Sequence, residues 1–200
     1  MHKYGMQFRP AGNVFALLML ALLAACNTVA RSERMVPGAS QLASLPAATN
    51  LHGAIAEVRL IERAGTSGGL GLRLTLLDYD GLAGAVRKSL ASRGLMEAKG
   101  AMRLEIREPS TGYGFTFPGD QPSVIKLQVF MQAGYRLIRN STGERVFDET
   151  VENSHEELAS RSEYESDIRG RPTPKLQSAV EAAVRNNIIE FLRQLGKVKG

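Results

Sequence analysis

This chain of 200 residues holds one cysteine and three histidines, so few routes to catalysis are open to it. Beyond the first 25 residues the histidines are His52 and His155, and both fall in predicted connections rather than beside a serine or an acid at an element end. A Ser-His-Asp triad or a two-histidine metal site would need one of them, so neither is expected. Ser123-Val-Ile-Lys126 spells S-x-x-K, but that chemistry needs both side chains on one helix face. Here the string opens a predicted strand, where i and i+3 point to opposite sides, and no S-D-N or K-T-G string accompanies it. His155-Glu156-Glu157-Leu158-Ala159 begins like a zinc-binding helix, yet the second histidine position is occupied by Ala159. Gly68-Gly69-Leu70-Gly71 and Gly112-Tyr113-Gly114 complete no phosphate loop and read as turn glycines. Asp78 and Asp80 read as caps of the helix that follows, because anions stabilise a helix N-terminus. The expectation is a protein without metal or cofactor that is not an enzyme; the alternative is a periplasmic hydrolase with an unrecognised active site.

What remains is Cys26. Lys3 and Arg9 form a positive start, and Val14 to Leu23 (VFALLMLALL) form an uncharged apolar run. That run is about half the roughly 20 residues a spanning helix needs, so it reads as an export signal. Leu23-Ala24-Ala25-Cys26 closes it and resembles the lipobox of bacterial lipoproteins. The resemblance implies that residues 1–25 are removed and that the Cys26 thiol carries a fatty acyl (palmitate-type) lipid anchor. As the only cysteine, Cys26 can form no intramolecular disulfide in an oxidising compartment.

Composition narrows the partner. The formal charge is +5, and loss of Lys3 and Arg9 with the leader lowers it to +3, weak grounds for nucleic acid. No basic stripe with interleaved aromatics appears, so no nucleic-acid partner is expected. The chain lacks tryptophan, which argues against a sugar platform built from stacked indoles.

Residues 26–52 carry scattered Pro, Ser, Thr and Ala without periodicity and read as a flexible tether. Residues 53–200 then read as one periplasmic domain. Ile55 to Arg63 and the alternating Leu70, Leu72, Leu74 and Leu76 read as a hairpin. Leu82, Val86 and Leu90 recur at helical spacing, with Gly94 just past the end. Met102, Leu104 and Ile106 alternate with charged residues, and Ile125 through Leu137 keep apolar parity as the longest strand. Asn140 to Gly143 turn that strand back into Arg145 to Val151. Thr173-Pro174 caps a last helix whose stripe is Leu176, Val180, Val184, Ile188, Leu192 and Leu195. The order ββαβββα predicts a two-layer α+β domain, a mostly antiparallel sheet with two helices packed on one face.

Two long connections, Pro109–Ser123 and Asn153–Arg171, interrupt that scheme and are the candidate partner contacts. The first carries Tyr113, Phe115 and Phe117, rings that need cover from the domain's own core, a partner or lipid. The second carries Glu156 and Glu157 among other acids, a solvated loop or a docking site for a basic partner.

The lipobox, the tether, the helix Leu82-Ala-Gly-Ala-Val-Arg-Lys-Ser-Leu90-Ala-Ser-Arg-Gly94-Leu95 and the final Ala/Val/Ile/Leu helix are similar in order to YajG-type lipoproteins and envelope-transport auxiliary lipoproteins of Gram-negative bacteria. That resemblance implies a non-catalytic accessory or binding module, anchored to the outer membrane, facing the periplasm and bound to another envelope protein. Asn27 after the cysteine agrees with the outer membrane, because inner-membrane retention in the enteric pattern uses aspartate there.

Overall fold

The structure is a computed structural model that describes residues 32–61, 76–119 and 124–198. Residues 1–31 with Cys26, Ser123 and all of the expected Leu70–Leu76 strand except Leu76 lie outside the described residues. The elements in chain order are α1 (Ser32–Met35), α2 (Ala39–Ala43), a 3-10 turn (Thr49–Leu51), β1 (Ile55–Leu60), α3 (Tyr79–Ser92), β2 (Met102–Thr116), β3 (Ile125–Arg139), β4 (Arg145–Ala159), α4 (Arg161–Ile168) and α5 (Pro174–Leu195).

The strands lie side by side as β1-β2-β3-β4 in one sheet. β1 runs parallel to β2, with α3 as the crossover that a parallel pair requires, whereas β2-β3 and β3-β4 are antiparallel. The two-layer α+β reading therefore holds, with α3 and α5 on one face and the other face open. Ile125, Leu127, Val129, Met131, Ala133, Tyr135 and Leu137 of β3 are all buried on the helix side, as their parity predicts.

Local chemistry explains both long helices. Asp78 caps α3 by accepting from the Asp80 amide at 3.1 Å. At its other end Gly94 takes φ +68°, and the Leu95 amide returns to the Leu90 carbonyl at 3.0 Å, a Schellman closure that only glycine enters without strain. Thr173 caps α5 by accepting from the Leu176 amide at 3.2 Å, and the whole predicted apolar stripe of that helix is buried.

Three expectations fail. Residues 32–52 are not a free tether: Met35, Leu42, Leu45 and Leu51 belong to the core, so the folded domain starts well before residue 53. Pro109–Ser123 is not a loop as far as Thr116, because β2 continues through Pro109 by means of a bulge between Arg107 and Ser110. Glu108 takes φ +44° there, and proline is tolerated where the ladder is already broken. Asn153–Arg171 is not a connection either: β4 pairs with β3 out to Ala159, and α4 follows at once.

Candidate partner-binding surface

The bulge in β2 decides where the three rings go. Before it, even-numbered Leu104 and Ile106 face the helices; after it, odd-numbered Thr111, Tyr113 and Phe115 lie opposite Met131, Val129 and Leu127, which are core residues. One inserted residue thus flips the parity and turns Tyr113 and Phe115 inward.

Helix α4 covers them. Its Tyr164 ring packs edge-on against Phe115 at 4.9 Å and against Phe117 at 5.2 Å, and Tyr113 packs edge-on against Phe115 at 5.9 Å. The Tyr113 hydroxyl donates to the Asp167 carbonyl at 3.1 Å. Burial, then the Asp167 charge, pushes the Tyr113 phenol above its ordinary value. Of the three rings, Tyr113 and Phe115 therefore serve the domain's own core, while Phe117 stays 51% exposed.

Ser160 starts α4 as a capping box: its hydroxyl accepts from the Glu163 amide at 3.3 Å, and the Glu163 carboxylate accepts from the Ser160 amide at 2.7 Å. That amide holds Glu163 below the usual carboxylate value. S-x-x-E is a readable sequence signal, and it marks the helix that a long connection had been expected to replace. At the far end, Asp167 accepts from the Thr173 amide at 2.7 Å and from its hydroxyl at 3.2 Å, which joins α4 to α5. Burial raises the Asp167 carboxyl, and the Thr173 hydrogen bonds only partly offset this.

The acidic residues do not form one cluster. Adjacent strand residues face opposite sides, so Glu156 lies on the open face while Glu157 shares the helix side with His155. His155 Nε2 and Glu157 Oε1 are 3.0 Å apart. Ser154 faces away from that pair, so its hydroxyl is not placed for the histidine to activate. Lys126 of the S-x-x-K string is exposed on the open face. Among the described residues, no three His, Cys, Asp or Glu side chains are grouped to hold a metal ion.

Sequence reasoning missed the network on the open sheet face, although the alternation of Arg103, Glu105 and Arg107 placed them on the wet side. Asp148 accepts from Arg107 Nη2 at 2.8 Å and Arg136 Nε at 3.0 Å, with Arg145 Nη1 at 3.5 Å. Glu105 holds Arg103 at 3.0 Å and Arg136 at 4.0 Å. Four guanidinium groups thus share two carboxylates, and this end of the open face is basic. The face also carries Phe130, 48% exposed, between Gly112 and Ser154, with Leu158 near its far end. On the opposite side of the molecule, a mostly apolar groove of about 440 Å³ runs past Leu42, Leu45, Ala48, His52 and Leu95, with Arg93 donating to the Leu42 carbonyl at 2.6 Å.

No protein-family model and no curated protein sequence matches the chain. Solved structures of similar shape include a minor lipoprotein from Acinetobacter baumannii, at 10% identity and TM-score 0.46, with 70% of this chain and 90% of that one covered. They also include a candidate lipoprotein from Caulobacter crescentus at 12% identity and TM-score 0.43, covering 74% and 93%. A DUF330 protein from Xanthomonas campestris shows 14% identity and TM-score 0.44, covering 80% and 88%.

Proposed function

We propose that the chain is a lipid-anchored accessory module of the bacterial envelope, attached through Cys26, facing the periplasm from the outer membrane and binding another envelope protein without catalysis. The observation that carries this reading is the leader itself: a short apolar run that ends in Leu-Ala-Ala and the only cysteine of the chain. Among the described residues no helix is long and apolar enough to cross a membrane, so attachment in this reading rests on lipid. Acylation at both the sulfur and the amine exceeds the two-signal threshold for stable anchoring. Asn27 supports the outer membrane, and the order of elements supports the likeness to YajG-type and envelope-transport auxiliary lipoproteins.

The partner contact in this reading is the end of the sheet where Phe117 is exposed, with Glu156 on the open face. Tyr113 and Phe115 support it from inside, and Glu157 is paired with His155.

Fractionation of cells expressing the full chain tests the anchor. The unaltered protein is expected to stay with outer-membrane vesicles after a high-salt wash, and Cys26→Ser to move to the soluble fraction. Cys26→Ser that stays on washed membranes overturns the reading. Photo-crosslinkers at Phe117 and Glu156 in intact cells should give one shared adduct, absent from a probe at Thr142 in the opposite β3–β4 turn.

A further inference from the structure

We infer that the anchored chain enters the fold on its helix layer, so that this layer faces the lipid bilayer and the open face of the sheet looks away from it. This rests on the reading of Cys26 as the anchor.

The entry point is fixed by α1, which is seated on α3 and α5. Met35 is fully buried. Arg34 lies 3.8 Å from the buried Glu181 carboxylate of α5, and Arg185 of the same helix donates to the Arg34 carbonyl at 3.1 Å. Ser32 lies against α3 at Gly81, where a Cβ would stand 2.5 Å from the capping Asp78 carboxylate and 3.2 Å from the Ser32 Cβ. These contacts all belong to the helix layer.

Only residues 27–31 separate Cys26 from Ser32. At about 3.3–3.6 Å per residue the connection spans about 20 Å at most. A helix layer backed by a sheet is also about 20 Å deep. A leash of that length, starting from the outside of the helix layer, cannot round the edge of the sheet and let the open face rest on lipid. On the open face Arg103, Arg107, Arg136 and Arg145 gather around Glu105 and Asp148, while Glu152 and Glu156 lie farther along it. With the leash short, that cluster faces away from the bilayer.

The test uses the acylated full chain in vesicles of phosphatidylethanolamine and phosphatidylglycerol that carry a headgroup-attached nitroxide quencher. Acylation consumes Cys26, so an introduced thiol is the only one free to take a fluorophore. Labels at Glu33→Cys and Asp80→Cys report the helix side, and Gln132→Cys and Thr150→Cys report the open face; all four positions are exposed. Quenching is expected to be several-fold stronger at 33 and 80 than at 132 and 150. A Gly/Ser insert of about 20 residues after Asn27, with an r.m.s. span of about 25 Å, should erase the contrast. Equal or stronger quenching at 132 and 150 overturns the inference, and so does a contrast that survives the insert. Mass spectrometry separates the two levels: no acyl mass on Cys26 overturns the anchor and the orientation together, whereas an acylated protein without contrast overturns the orientation alone.

Discussion

The Tyr135 hydroxyl donates to Asn187 Oδ1 at 2.8 Å, and both side chains are fully buried between the sheet and α5. Asn187 Nδ2 in turn donates to the Val151 carbonyl of β4 at 2.8 Å, so one amide fixes the last helix against two strands. The Tyr135 ring also stacks on Phe191 at 4.1 Å. Such a network specifies one register of helix on sheet, because any slip leaves a buried polar group without a partner.

Breaking one member should therefore cost more than its share. Tyr135→Phe leaves Asn187 Oδ1 without its donor, and Asn187→Leu strands the Tyr135 hydroxyl and the Val151 carbonyl; each is expected to lose about 1–3 kcal/mol in urea unfolding. The double variant should lose clearly less than the sum. Strict additivity would show that the two side chains do not act together.

Alkaline pH should act through the same tyrosine, whose phenol burial pushes far above its ordinary value of 10.0. Below 10.0 both folded and unfolded chains keep the proton, and the contribution to stability is whole. Above it the unfolded phenol ionises first, so stability falls by about 1.4 kcal/mol per pH unit until the folded phenol follows. Tyr113 shifts in the same direction. In Tyr135→Phe the slope of unfolding free energy between pH 10 and 11 is expected to shrink by about that amount; an unchanged slope refutes the assignment.

Met35→Ala tests whether residues 32–52 belong to the domain. A buried methionine cut to alanine costs about 2–5 kcal/mol when the site cannot collapse. A loss of that size is expected in thermal or denaturant unfolding. A variant as stable as the parent would return the segment to the status of a tether.

Ser160→Ala removes the hydroxyl half of the capping box, at an expected cost of about 0.5–2 kcal/mol to α4. Since α4 brings Tyr164 onto Phe115 and Phe117, loosening it should raise proteolysis near Arg161 and Arg169 and alter the near-UV circular dichroism of the rings. Ser160→Asp, which keeps a capping oxygen, should restore both signals. If α4 stays protected in Ser160→Ala, the capping box does not hold the helix in place.

Much of the fold was legible in the residues because it follows from local rules. The stripe of α5, the cap at Thr173, the left-handed Gly94 and the parity of β3 each depend on neighbours a few positions away, and each lies where periodicity puts it. Tyr113, Phe115 and Glu157 were located as residues but not as surroundings. Their fates depend on the bulge at Glu108-Pro109 and on the register of β4 against β3. A bulge looks like a loop in sequence, since proline, glycine and broken alternation mark both.

By itself, then, the sequence determined the lone Cys26 behind an uncharged apolar run, the scarcity of histidine, and the amphipathic elements, because composition and short-range spacing suffice for those. Only the tertiary structure decided that residues 32–52 join the core, that two of three rings turn inward under α4, and that Arg107, Arg136 and Arg145 converge on Asp148. Those outcomes are set by pairing across β2, β3 and β4 and by helices meeting from opposite ends of the chain. Burial there rewards long-range contacts, and no local pattern records them.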